Sequence, residues 1–373
     1  MKIIVAGDLS LQDRAHRLIW DENQLNKSFG SLKEVICRND FALVNLESPV
    51  TNNNEPLLKD GPILKNNKSV FDIIKYCDFD VITLANNHLK DYGTKGVSDT
   101  ISCCKDQNLL FVGAGSNIED ARKPLVLSDD NIRIGIINVC EHESSIASKV
   151  SAGSNPYDIS NLFYDISSLK KKVDKIVVII HGGREHYQLP TPRMKREYHL
   201  IIDMGADVIV NHHQHCYSGY EVYNDKLIFY GLGNLFFDNP SKRNMIWNYG
   251  LLLQLVIEKD QVGYNLIPFE QCNANPVINF INYEEIKIKI DELNEIISDD
   301  TVLESAFEKM VEGLRPLSPF LPYGNHYLRA LYNRGLLPDF ITKKNKVKIE
   351  NSLSCETHLE VLLHYLNRSL HNE

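Results

Sequence analysis

Short apolar runs punctuate the chain as far as about residue 235: Lys2–Ala6, Phe41–Asn45, Val81–Ala85, Leu110–Val112, Ile132–Asn138, Ile176–Ile180, Val208–Val210 and Leu227–Gly231. Between several of them, apolar residues fall at helical spacing, as in Val70, Ile73, Ile74 and Cys77, or in Tyr198, Ile201, Ile202 and Gly205. Strand-length runs alternating with amphipathic helices predict an α/β fold around a buried sheet. Beyond about residue 270 the spacing turns helical at Glu284–Ile297, Thr301–Gly313, Tyr327–Asn333 and Glu356–Leu370, with Pro316, Pro319, Pro322 and Pro338 as punctuation. The chain therefore reads as an α/β domain over residues 1–272 and a mainly helical extension over 273–373. Lys343, Lys344, Lys346 and Lys348 in that extension read as a solvated loop, with contact to an acidic partner as the alternative.

Five of the apolar runs lead into residues that carry chemistry. Gly7-Asp8 follows the first, Asn45-Leu46-Glu47 the second, Asn86-Asn87-His88 the third, His181-Gly182-Gly183 the sixth and Asn211-His212-His213-Gln214-His215 the seventh. In open α/β sheets, ligand sites assemble at the carboxyl ends of strands, so these side chains are predicted to converge on one edge. A carboxylate can bridge two ions, imidazole suits Zn, Fe or Mn, and an amide oxygen is a tolerable hard ligand; the set suits two divalent metals. Such a pair activates a water and stabilises both the attacking and leaving oxygens of a phosphoryl transfer, with a nearby His as proton donor. Singly, each element has a plainer reading: a helix cap or turn for the carboxylates, a structural role for His181. The five strand ends together point to metal.

Composition narrows what remains. With 43% apolar and 24% charged residues over 373 positions, the chain is of ordinary globular make-up and long enough to fold without disulfides. A formal charge of −9 argues against a nucleic-acid or anionic-membrane binder while leaving room for a local basic pocket. The eight cysteines include no CxxC pair and read as buried reduced thiols. Cys140 near His142 and Cys216 beside His215 have no other support for a thiol mechanism. Ile3–Ala6 is too short for a signal peptide and no run approaches a membrane span, so a cytoplasmic protein is expected. Gly113-x-Gly115 lacks a third glycine and a P-loop Lys and reads as a turn.

Read in order, Gly7-Asp8, Asn45-Leu46-Glu47-Ser48-Pro49, Ala85-Asn86-Asn87-His88 with Asp91-Tyr92-Gly93, Val112-Gly113-Ala114-Gly115, His181-Gly182-Gly183-Arg184-Glu185-His186-Tyr187, His212-His213-Gln214-His215 and Phe229-Tyr230-Gly231-Leu232-Gly233-Asn234 form one pattern. It resembles the capsule-synthesis CapA family, which is linked to poly-γ-glutamate and has a calcineurin-like metallophosphoesterase fold. The likeness covers residues 1–240 and leaves the C-terminal part unmatched. It implies a sandwich of mixed sheets flanked by helices. It implies Asp8 and His215 on a first metal, Asn87, His181 and His213 on a second, and Glu47 bridging both. His88 would be the general acid, oriented by Asp91. Three departures stand out: Ser10 occupies the histidine position of the wider superfamily's Asp-x-His, Asn211 replaces the usual Gly before the His pair, and Gln214 the usual Pro. The first leaves open whether one ion binds or two, and the others which of His212, His213 and His215 are ligands.

The function so implied is phosphoester hydrolysis by a centre of Mn, Fe or Zn, in making or trimming capsule, polyglutamate or a related cell-surface polymer. The substrate would be an anionic small molecule or polymer precursor, and the C-terminal helices offer a surface for a protein partner. Two alternatives stay open: a hydrolase or ligase-type factor for γ-glutamyl amide bonds using the same centre, and a non-catalytic assembly factor. Arg184 would neutralise the substrate's charge through a bidentate contact, a surface salt bridge being the alternative. Lys59-Asp60-Gly61-Pro62 reads as a turn, or else as a lining of the site's mouth, and Tyr187 as packing.

Overall fold

A computed structural model describes residues 1–313 and 342–371, with side chains as far as residue 366. In chain order the strands are β1 (Lys2–Ser10), β2 (Phe41–Leu46), β3 (Val81–Thr83), β4 (Leu110–Val112), β5 (Ala114–Gly115), β6 (Leu125–Ser128), β7 (Arg133–Cys140) and β8 (Gly153–Ser154). There follow β9 (Lys175–His181), β10 (Val208–His212), β11 (Tyr220–Tyr223), β12 (Lys226–Phe229), β13 (Asn234–Phe237), β14 (Tyr249–Ile257), β15 (Val262–Gln271) and β16 (Ile278–Phe280). The helices are α1 (Asp13–Arg17), α2 (Glu22–Ile36), α3 (Val70–Tyr76), α4 (Gly93–Asp106), α5 (Ile118–Ala121), α6 (Ile159–Leu169), α7 (Pro192–Met204), α8 (Tyr283–Ser298), α9 (Asp300–Glu312), α10 (Lys343–Ser354) and α11 (Glu356–His371).

Two mixed sheets carry the fold. The first runs β16-β15-β14-β1-β2-β3-β4, with β13 alongside the end of β1; the second runs β11-β12-β10-β9-β7-β6. Strands β1 to β4 are mutually parallel, as are β12, β10, β9 and β7, so their carboxyl ends lie on one edge of each sheet. Side chains alternate across a strand, and β1 shows the result: Ile3 and Val5 join the core shared with the second sheet, while Ile4 and Ala6 join a core with Phe29 and Leu32 of α2 and Ile73 of α3. Helices α6 and α7 close the second sheet with Leu162, Ile166, Tyr198 and Ile201. The architecture is a mixed-sheet sandwich flanked by helices.

Each apolar run read from the sequence lies on a strand. The third stops at Thr83 because the amide of Ala85 donates instead to Asn138 Oδ1 on β7 (2.8 Å). The helical spacing at Tyr198–Gly205 belongs to α7, which Thr191 caps at its start and Gly205, at φ 121°, ends. Strands β14 to β16 carry the first sheet past residue 272. The helical C-terminal part is present as α8 to α11; the segment Tyr327–Asn333 and the four prolines fall outside the described residues. One expectation is corrected. The lysine cluster is not a loop but the first half of α10, begun where Thr342 accepts a hydrogen bond from the Asn345 amide (3.2 Å). Among the described residues, no helix is long and apolar enough to cross a membrane.

Candidate metal centre

The strand ends deliver the side chains to one place. At Asp8 the register of β1 shifts against both β2 and β13, a bulge that re-aims the carboxylate toward the second sheet. Gly7 permits this, since a Cβ there would sit 1.8 Å from Gly233 O. Glu47 follows β2, and Ser48 beside it sits at φ 143°. Beyond β10 the chain turns through His213 (φ 92°) and His215 (φ 56°). Non-glycine residues in such conformations cost about 1–3 kcal/mol each and persist where surrounding structure imposes them. Asn138 ties the sheets together, donating from Nδ2 to Ile179 O (3.2 Å) while its Oδ1 accepts from Leu84 and Ala85.

Glu47 stands between two groups of donors. Its Oε1 lies 3.7 Å from His181 Nε2 and 3.7 Å from His215 Nε2. Glu47, His181 and His213 form one compact cluster and Asp8, Glu47 and His215 another, so Glu47 is common to both. Asn87 belongs with the former, its Oδ1 being 3.1 Å from His181 Nε2, which also lies 3.2 Å from His213 Nδ1. The structure thus gathers all six predicted ligands. His212 belongs to neither cluster, although its Nδ1 is 3.8 Å from Asp8 Oδ1, the oxygen that accepts from Asn45 (2.6 Å); neither of its ring nitrogens has a hydrogen-bond partner among the described residues.

These residues fit divalent cations. Glu47 is fully buried, yet neither of its oxygens accepts a hydrogen bond among the described residues. A buried carboxylate in that state is costly unless a cation compensates it. Burial and then the neighbouring Asp8 push its carboxyl well above the usual range. Burial pushes the imidazoles the other way, His181 well down and His215 to about 4. They are therefore neutral near pH 7, the form that offers a lone pair to a metal. His215 Nδ1 lies 2.8 Å from Asn234 Oδ1, an acceptor that holds the ring with Nε2 toward Glu47.

Beside the centre, His88 Nδ1 lies 2.7 Å from Asp91 Oδ2, and its Nε2 has no hydrogen-bond partner among the described residues. Arg184 is half-buried on the turn after β9 and makes no ion pair among them. The sequence left three contributors without a role: Asn45 and Asn138, whose amides fix Asp8 and the Asn86–His88 turn, and Asn234 behind His215. The Asn234 signal was present, because it closes the Phe229–Asn234 motif. Asn45 likewise opens the Asn45–Pro49 motif, whereas Asn138, inside a strand, carries no local signature. A separate cluster of Glu141, Cys355 and Glu356 also has ligand-type atoms close together. Its Glu141 is satisfied by Arg193, Thr357 and Cys355, unlike Glu47, and it anchors α11 to the end of β7.

The fold is a mixed-sheet sandwich, and its strand ends bring together groups that could hold metal ions. Residues 2–239 match the family described as bacterial capsule synthesis protein PGA_cap, and the chain belongs to that family. It is 32% identical over 276 residues to the PGA biosynthesis protein CapA of Bacillus subtilis, covering 72% of this chain and 71% of that one. To the capsule biosynthesis protein CapA of Bacillus anthracis it is 33% identical over 219 residues, covering 56% and 53%. Among solved structures it is similar to a putative 5'-nucleotidase from Staphylococcus aureus, with 15% identity, a TM-score of 0.43 and coverage of 79% of this chain and 58% of that one. That last likeness is too distant to bear on function.

Proposed function

We propose that the chain is a metal-dependent phosphoester hydrolase acting in the making or trimming of capsule polyglutamate or a related cell-surface polymer. The observation that carries the reading is Glu47, a buried carboxylate whose two oxygens have no hydrogen-bond partner among the described residues, set between two groups of donors. Asp8 and His215 would hold one ion, Asn87, His181 and His213 the other, with Glu47 shared. Divalent ions so held supply positive charge to a phosphoryl group and acidify water. The chain's own groups do the rest. His88, anchored through Nδ1 to Asp91, presents Nε2 as the atom that gives a proton to the departing oxygen. Arg184, which makes no ion pair among the described residues, would meet the substrate's negative charge. The names of the relatives support the polymer context.

One observation favours a second reading, that of an assembly factor without turnover. Ser10 contributes no ring nitrogen to the first cluster, its hydroxyl being engaged with Ser48 (3.1 Å) and Gln12 (3.0 Å). Hydrolysis of bis(p-nitrophenyl) phosphate by the metal-loaded protein separates the two. His88→Ala should lower kcat by about 10²–10⁴-fold with metal content unchanged. Equal rates in the variant and the parent would overturn the hydrolase mechanism.

A further inference from the structure

Asp91 is gripped by a segment from outside the sheets. Between β2 and α3 the chain runs through residues 47–69 without a strand or helix of its own, its two arms tied by an isolated bridge from Val50 to Asn66 and by hydrogen bonds such as Asn66 Nδ2 to Ser48 Oγ (2.7 Å). This segment folds onto Asp91. The Leu57 amide donates to Asp91 O (2.7 Å) and the Leu64 amide to Asp91 Oδ2 (2.7 Å). Lys59 reaches furthest in. Its ammonium donates to Asp91 Oδ1 (2.6 Å) and to the carbonyl oxygen of Asn87 (3.2 Å), and it lies 3.2 Å from His88 Nδ1. The side chains of Lys59 and Asp91 are 2% and 0% exposed.

We infer that Lys59 is a positioning residue for the proposed proton donor, holding the Asp91 carboxylate as the fixed anchor of His88. The inference rests on the catalytic reading of His88. A lysine is an expensive way to pin a loop, because taking an ammonium out of water costs several kcal/mol unless its partner is equally well placed. Here the partner is the carboxylate that orients His88, and the same ammonium touches the backbone of the candidate ligand Asn87. Oδ2 of Asp91 thereby meets Leu64 and His88, and Oδ1 meets Lys59. Without Lys59, Oδ1 of the buried Asp91 loses its hydrogen-bond partner, and nothing on that side holds the carboxylate in the orientation that meets His88 Nδ1. The proton-donating pair is thus assembled from the sheet edge and the 47–69 segment together.

The test uses the full chain with ¹⁵N-labelled histidine, comparing wild type, Lys59→Met and Lys59→Arg. In the wild type the His88 Nδ1 proton should be protected from exchange. In Lys59→Met its signal should be lost, and kcat on bis(p-nitrophenyl) phosphate should fall about 10- to 100-fold with KM held within about threefold. Lys59→Arg should recover part of both. A His88 proton as protected in Lys59→Met as in the wild type, with only the 47–69 segment opened to protease, would reduce Lys59 to a loop staple and overturn the inference. If Lys59→Met does not fold, Lys59→Gln, which keeps a donor without the charge, is read in its place. A wild type without phosphoesterase activity would sink the functional reading, while the His88 proton still decides the role of Lys59.

Discussion

Glu47 concentrates the physics of the centre in one side chain. Its carboxyl is raised well above the usual range by burial and by Asp8. The native state therefore holds a proton there that the unfolded chain has released. The sign follows: without metal, stability falls as pH rises from the ordinary glutamate range through the raised value. Glu47→Gln should flatten that slope and make the metal-free protein more stable at pH 8, by about 1–3 kcal/mol, the cost of an unsatisfied buried group. The same substitution should abolish the stabilisation conferred by added metal. Denaturant titrations at pH 5 and pH 8, with and without Mn²⁺, read both effects. At this scale the residues of the candidate site that the structure brings together were mostly legible, because ligand-type residues follow apolar runs in a fixed order. Lys59 was legible only as part of a turn or of the site's mouth, because its loop has no periodicity and its contacts depend on a fold-back onto Asp91.

Among the elements, β1 and α11 are the informative pair. Strand β1 passes so close to Gly233 that a methyl group on Gly7 has no room. Gly7→Ala should cost about 3 kcal/mol and reduce metal binding, since the strand must shift where it carries Asp8. Urea unfolding and metal titration of the variant check this. Helix α11 docks through charge, with His142 Nδ1 2.5 Å from Glu356 Oε1 and the His142 amide 2.8 Å from Glu356 Oε2. The hydrogen bond to Glu356 raises the His142 pKa, so this contribution is present below about pH 6.5 and lost as pH rises through the raised value. Hydrogen exchange at the start of α11, corrected for intrinsic rate, should therefore increase between pH 6 and pH 8, and His142→Gln should remove the dependence. Most buried parallel strands were legible, β13 being the exception. Half-exposed edges such as β11, and the C-terminal contacts, were not, because their partners lie far along the chain. Nor was α10, where polar lysines mask a capped helix.

For the whole molecule, the sandwich sets two rows of parallel strand ends against each other, and the helical part is fastened beside them. Thr357 and Glu360 of α11 engage Glu141 and Thr191, and Glu141 receives its own backbone position from His181, its amide donating to His181 O (3.1 Å). The centre is thus a product of the entire fold, and ions bound there should stabilise all of it. Saturation at a hundred times the dissociation constant is worth about 2.7 kcal/mol. The decisive measurement is the metal content of the purified protein by plasma mass spectrometry, after growth with Mn, Fe and Zn supplied. The account predicts close to two ions per chain in the wild type and fewer than one in Glu47→Ala. A wild type that carries no metal, and binds none when each ion is added back, would contradict it.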